Sequence, residues 1–113
     1  MSEIDSPAEF AKLSPIEQEQ LVTWCKSMYA IATRPRLGST SYGMKHDFER
    51  HGGFYVSNGA FKGAMLAAKF RVVDESEKNW EFYIHPTTLQ RRLHHVQASA
   101  YRRVSRHAQN VGV

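Results

Sequence analysis

Apolar residues recur along this chain at two different spacings, and each change of spacing marks an element. Leu21, Trp24, Cys25, Met28, Ile31 and Ala32 fall every three or four residues and share one helical face. Ser14-Pro15-Ile16-Glu17 stands ahead of them. There the serine caps a helix, proline suits the first helical position, and the glutamate reaches back to the cap. This helix is expected to persist toward Pro35, because the residue before a proline avoids helical dihedrals. Ser6-Pro7-Ala8-Glu9 repeats the signature and predicts a short helical turn upstream. A second helix is predicted over 39–50, closed by Gly52-Gly53, since glycine takes the left-handed dihedrals that end a helix. Phe54-Tyr55-Val56 reads as a short extended connection. Ser57-Asn58 then caps a third helix over 59–69, with Phe61, Ala64, Met65 and Ala68 on its apolar face.

After that helix the pattern changes. Residues 70–73 and 80–84 are rich in β-branched and aromatic side chains, and 74–79 are polar throughout, which predicts an antiparallel hairpin. Pro86 ends it. Thr87-Thr88-Leu89-Gln90 opens a last helix that is expected to reach Ala108, with 109–113 as a fraying tail. The expected fold is α+β and mainly helical: four helices and one two-stranded antiparallel hairpin, in a winged helix-turn-helix-like order. Trp24, Phe61, Met65, Leu93 and Val96 are the expected core.

Length and composition narrow the class. With 113 residues, the expectation is a single domain over 1–113, opened by an acidic segment over 1–13. A hydrophobic content of 42% is enough for a packed interior. No run approaches the roughly 18 apolar residues that a membrane helix needs. The acidic start lacks a signal-peptide core, and one cysteine, Cys25, makes an intrachain disulfide impossible. These features predict a cytoplasmic protein.

Charge is distributed unevenly. The formal net charge is +4. Glu3, Asp5, Glu9, Glu17 and Glu19 make the start acidic, and no acidic residue follows Glu81. Leu89, Leu93, Val96, Ala100 and Val104 form one face of the last predicted helix. Arg91, Arg92, His95, Arg102, Arg103 and Arg106 gather on an adjoining arc. Arginine's planar fork suits phosphate oxygens, and each neutralised phosphate releases counterions, so this stripe is a candidate nucleic-acid contact. The plain alternative is a solvated charged face.

The order helix, turn, helix, hairpin points the same way. In a winged helix-turn-helix the second helix enters the major groove by its N-terminus. Asn58 and Lys62 would then face DNA, the asparagine suited to adenine and the lysine to phosphate. Gly59, Gly63 and Ala67 compete with that reading, because a lane of small residues lets another segment pack closely on the same helix. Tyr42, Lys45, His46 and Glu49 share a face of the second helix. They form a candidate interaction surface or, more ordinarily, an ion pair beside an aromatic contact. Six histidines are present, but no ligand set has metal-binding spacing, so neither metal nor cofactor is expected.

Three stretches carry a resemblance: SYGMKHDFE at 41–49, YVSNGAFKGAMLAAKF at 55–70 and NWEFYI at 79–84. They resemble small proteins carried by bacterial phages and other mobile elements. The resemblance implies a DNA-binding regulator or an inhibitor of a host defence system of the anti-CRISPR kind, and it carries over no functional residue. Together these readings predict a non-catalytic, basic, cytoplasmic nucleic-acid-binding protein. The alternative is a protein-interaction module that docks on an acidic protein through exposed tyrosines, Tyr42, Tyr55 and Tyr101, with arginine neighbours.

Overall fold

In the computed structural model, residues 3–93 are described. Two short 3₁₀ helices, Glu3–Asp5 and Pro7–Lys12, open the chain. Ser6 caps the second, accepting from the Ala8 N–H. Helix α1 spans Pro15–Met28 and begins with the predicted capping box. Ser14 accepts from the Glu17 N–H at 3.2 Å, and Glu17 accepts from the Ser14 N–H at 2.9 Å. Strand β1 follows directly at Tyr29–Ile31. Helix α2 is Ser41–Arg50, helix α3 is Asn58–Ala67, and strand β2 is Ile84–Pro86. Helical backbone resumes at Thr88 and continues to Leu93. The molecule is therefore mixed helix and strand with one two-stranded antiparallel sheet, its register Tyr29↔Pro86, Ala30↔His85 and Ile31↔Ile84.

Four expectations need correction. The first helix does not continue through Ile31. Its apolar spacing holds, but Tyr29 is extended (φ −129°, ψ 142°) and Ile31 is 65% exposed. Thr87 supplies the reason. Its hydroxyl donates to the Ser27 carbonyl at 2.7 Å, and its N–H donates to the Met28 carbonyl at 3.0 Å. Those are the last carbonyls of α1, and their bonds to Thr87 let the chain leave the helix as a strand. Thr87 also caps the helical turn that starts at Thr88.

The predicted hairpin is present in reduced form. Val72 and Phe82 form a single bridge, flanked by Val73 N–H to Glu81 O and Tyr83 N–H to Arg71 O. The regular strand pairing goes instead to β1. The helix count also differs, because the acidic start folds into two 3₁₀ turns. Trp24, an expected core residue, is only partly buried, edge-on to Tyr29, Phe48 and Phe61. Phe61 and Met65 are fully buried and Leu93 packs partly against the core. Val96 lies outside the described residues.

Helix α3 is the centre of the core. All residues from Asn58 to Met65 are buried. The Gly59–Gly63 lane explains how the helix is covered on its second side. A Cβ on Gly59 would collide with the Ser6 carbonyl, and one on Gly63 would collide with Phe10 and the Pro7 carbonyl. The acidic N-terminal segment lies directly on this lane. Gly59→Ala is therefore expected to lower stability by about 1–3 kcal/mol, because backbone rather than a flexible side chain must move. Chemical denaturation measures it, and an unchanged midpoint would detach this segment from α3.

Both α2 and α3 end in left-handed caps. Gly52 (φ 86°) follows α2, and the Gly53 N–H bonds the Phe48 carbonyl. After α3 the same position is held by Lys69, with φ 73°. Lys69 N–H reaches Leu66 O at 2.9 Å and Phe70 N–H reaches Met65 O at 3.1 Å, which completes the motif. A side chain in that conformation is strained by about 1 kcal/mol. Lys69 is exposed, so Lys69→Gly is expected to raise the melting temperature, with a net gain of about 0.5–1 kcal/mol. A fall in melting temperature would mean that the lysine side chain contributes more than its backbone costs.

Candidate functional site

Helix α2 presents the predicted set Tyr42, Lys45, His46 and Glu49 on one face. Its start is fixed by Thr40, whose hydroxyl accepts from the Gly43 N–H. Its end is fixed by the Gly52 cap, which turns the chain so that residues 54–57 return alongside the helix. The Val56 N–H then donates to Glu49 Oε2 at 3.2 Å. This return brings Tyr55 opposite Tyr42, with Lys45 between them. The Lys45 ammonium lies 5.5 Å from the Tyr42 ring centroid and 5.1 Å from that of Tyr55.

Glu49 holds the cluster together. Its Oε2 is 3.3 Å from Lys45 Nζ and its Oε1 is 3.1 Å from His46 Nδ1. The His46 ring in turn meets Tyr42 edge-on, centroids 4.6 Å apart. Partial burial pushes the Glu49 carboxyl up, but the Val56 N–H, Lys45 and His46 outweigh it. The carboxyl is held below the usual carboxylate range. The two rings stay open to solvent, Tyr42 at 51% and Tyr55 at 75%, while Lys45 is 6% exposed. They flank a cleft of about 740 Å³ that also reaches Ile4, Lys78 and Asn79.

Beneath the cleft lies a buried polar knot. Ser41 Oγ donates to Asn58 Oδ1 at 2.8 Å and accepts from the Trp80 N–H at 3.0 Å. Asn58 Nδ2 points at Asp5 Oδ1, Lys78 O and Asn79 Oδ1, at 3.2, 3.1 and 3.0 Å. One turn on, Lys62 Nζ donates to the Asp5 carbonyl at 2.9 Å and lies 4.7 Å from the Trp80 ring centroid. Burial pushes the Lys62 ammonium below its ordinary range, Lys78 adds to this, and attraction to Asp5 opposes it.

This arrangement corrects the expectation for Asn58 and Lys62. Neither faces outward. They are 6% and 3% exposed, and their polar ends are bonded to the N-terminal segment and the 78–79 turn. The glycine lane in the sequence carried the signal, since it required a close neighbour on that side of α3. Arg91 and Arg92 are exposed on the helical turn after Thr87. Arg102, Arg103 and Arg106 lie outside the described residues, as do His95 and Tyr101. The structure adds Asp5, Lys78 and Asn79 to the cleft. Nothing in their local sequence marks them, because each meets α2 and α3 only through the fold.

The exposed rings offer flat apolar faces, the Lys45 charge between them is paired with Glu49, and Lys78 and Asp5 add one charge of each sign to the cleft. Cys25 is buried and its thiol is pushed well above its ordinary range, so it is a core residue. Among the described residues, no group of three His, Cys, Asp or Glu side chains is placed to hold a metal ion. No helix among them is long and apolar enough to cross a membrane.

The lowered Glu49 carboxyl gives a pH prediction. A carboxylate whose folded value lies below its unfolded value stabilises the fold above the unfolded value, and that contribution is lost as pH falls through the folded one. Glu49→Gln is therefore expected to be less stable than wild type at pH 7. The difference should shrink as pH falls below the ordinary glutamate value of 4.5. Urea midpoints measured from pH 7 to pH 3 test this, and parallel curves would remove Glu49 from the linkage. Comparison with protein-family models, with curated proteins and with solved structures finds no match to this chain, so the chemistry of the cleft itself must indicate its use.

Proposed function

We propose that this protein is a non-catalytic nucleic-acid-binding module that takes unpaired bases on the Tyr42–Tyr55 cleft. One observation carries the reading: two exposed tyrosine rings on either side of a buried lysine, in a cleft that Lys78 and Asp5 also line. Aromatic faces beside a positive groove bind single strands, because every base has a π-face to stack and every nucleotide a phosphate to neutralise. Reading of a duplex by α3 is set aside, since Asn58 and Lys62 are already bonded within the protein. Arg91 and Arg92, with Arg102, Arg103 and Arg106, supply phosphate contacts that position the strand without specifying its sequence. Such a protein fits the resemblance to phage and mobile-element proteins.

A second reading keeps the same cleft and changes the partner. The described residues carry twelve Lys and Arg against eleven Asp and Glu, so this part of the chain is close to neutral. Near neutrality favours a protein partner, for which Tyr42 and Tyr55 are suitable anchors. This is the inhibitor-like alternative.

Binding of a labelled oligothymidylate and of a duplex, followed by fluorescence anisotropy, separates the two. At about 50 mM salt the single strand is expected to bind more tightly, and log affinity should fall with log salt by roughly 0.7 per phosphate contact. Tyr55→Ala and Tyr42→Ala should each weaken single-strand binding by about 5- to 100-fold. Arg91→Gln with Arg92→Gln should mainly reduce the salt slope. Absence of binding to either probe at low salt would overturn the nucleic-acid reading and leave the cleft to a protein partner.

A further inference from the structure

A second cavity of about 460 Å³ lies on the other side of the Asp5–Asn58 contact, between residues 5–7 and the 75–80 turn. Its size suits a small molecule. Lys62 is at its base and Trp80 forms a wall, while Glu75, Glu77 and Lys78 line the turn side. The cleft of Tyr42 and Tyr55 uses none of Lys62, Trp80, Glu75 or Glu77.

Lys62 is the unusual group. It is 3% exposed, yet among the described residues it has no carboxylate within ion-pair distance. The Asp5 carboxylate, the nearest candidate, is turned to Asn58, and Lys62 bonds only the Asp5 carbonyl. Buried ammonium groups are ordinarily paired, because an uncompensated charge is costly to desolvate. Contact with the Trp80 ring offsets part of that cost. Two of the three ammonium hydrogens are left for an acceptor that enters the cavity. Across the same space, Glu75 and Glu77 are exposed carboxylates on the turn. The cavity thus sets the Lys62 ammonium against a turn that carries Glu75 and Glu77 beside Lys78.

We propose that this cavity binds a free α-amino acid, with its carboxylate on Lys62 and its ammonium toward Glu75 and Glu77. A lone anion is disfavoured by the two rim glutamates, and a lone cation is disfavoured by Lys62. A zwitterion satisfies both ends, and the Trp80 ring gives its side chain an apolar wall. The proposal does not rest on nucleic-acid binding at the Tyr42 cleft, although the two cavities share Asp5 and Lys78 in their linings.

Thermal unfolding of the full chain with each of the common L-amino acids tests it, with acetate and ethylamine as single-charge controls. At ten times its dissociation constant the right amino acid should raise the melting temperature by about 5 °C. The two controls should not. Lys62→Met keeps the aliphatic stem and is expected to abolish the shift. Glu75→Gln with Glu77→Gln, both exposed and so harmless to the fold, should abolish it as well and keeps the test open should Lys62→Met unfold. The proposal is overturned if no amino acid shifts wild type, if acetate does as well as the amino acid, or if the shift survives the double glutamine variant.

Discussion

The Ser41–Asn58–Trp80 knot is the joint on which the rest of the molecule depends. One hydroxyl and one carboxamide tie together the start of α2, the start of α3, the N-terminal segment and the turn before Trp80. Ser41 is fully buried and its own N–H also bonds the Trp80 carbonyl at 2.7 Å. In a low-dielectric interior such a network stabilises only when every member is satisfied, which fixes the relative placement of all four segments at once. The apolar core could accept small shifts of α3. The knot cannot, because a shift would strand a buried donor.

That constraint decides which helix is free to act. With Asn58 held inward and Gly59 and Gly63 pressed against the N-terminal segment, α3 is covered on two sides. A helix buried from Asn58 to Met65 organises a core and has no free N-terminus to enter a groove. Helix α2 packs by Met44 and Phe48 and leaves Tyr42 and His46 on its outer side. The exposed aromatic and polar side chains of this pair therefore fall on its first helix, opposite to the helix-turn-helix expectation, and the order of elements also departs from it, since β1 follows α1 and pairs with β2.

What could be read from the sequence was local. Ser14 with Glu17, Ser57, Thr87 and Gly52 act where they stand, through bonds spanning three to five residues, and each marks an element end that the structure contains. The Tyr42–Lys45–His46–Glu49 face was legible for the same reason, since helical spacing alone brings those residues together. The end of α1 was not. Tyr29 and Ile31 continue an apolar pattern compatible with helix, and the deciding bond comes from Thr87, 60 residues beyond Ser27. Asn58 and Lys62 failed similarly. Their polarity argued for solvent, but their partner Asp5 lies 53 and 57 residues away. Periodicity reports which face is apolar, and it is silent on a polar face covered by a distant polar segment.

Burying Lys62 has a further consequence for the charge pattern. Its ammonium cannot add to a surface field, and Lys45 is committed to Glu49. Most of the positive excess over the whole chain comes from Arg102, Arg103 and Arg106, after the described residues. In the proposed reading, long-range attraction of a polyanion would therefore come from the C-terminal arginines, while the cleft would contribute shape and stacking at close range. The two act over different distances. Attraction between exposed charges fades beyond a Debye length of about 8 Å at physiological salt, whereas a stacked ring depends little on salt. Raising the salt should thus strip away the arginine contribution first and leave a weaker binding that is carried by Tyr42 and Tyr55.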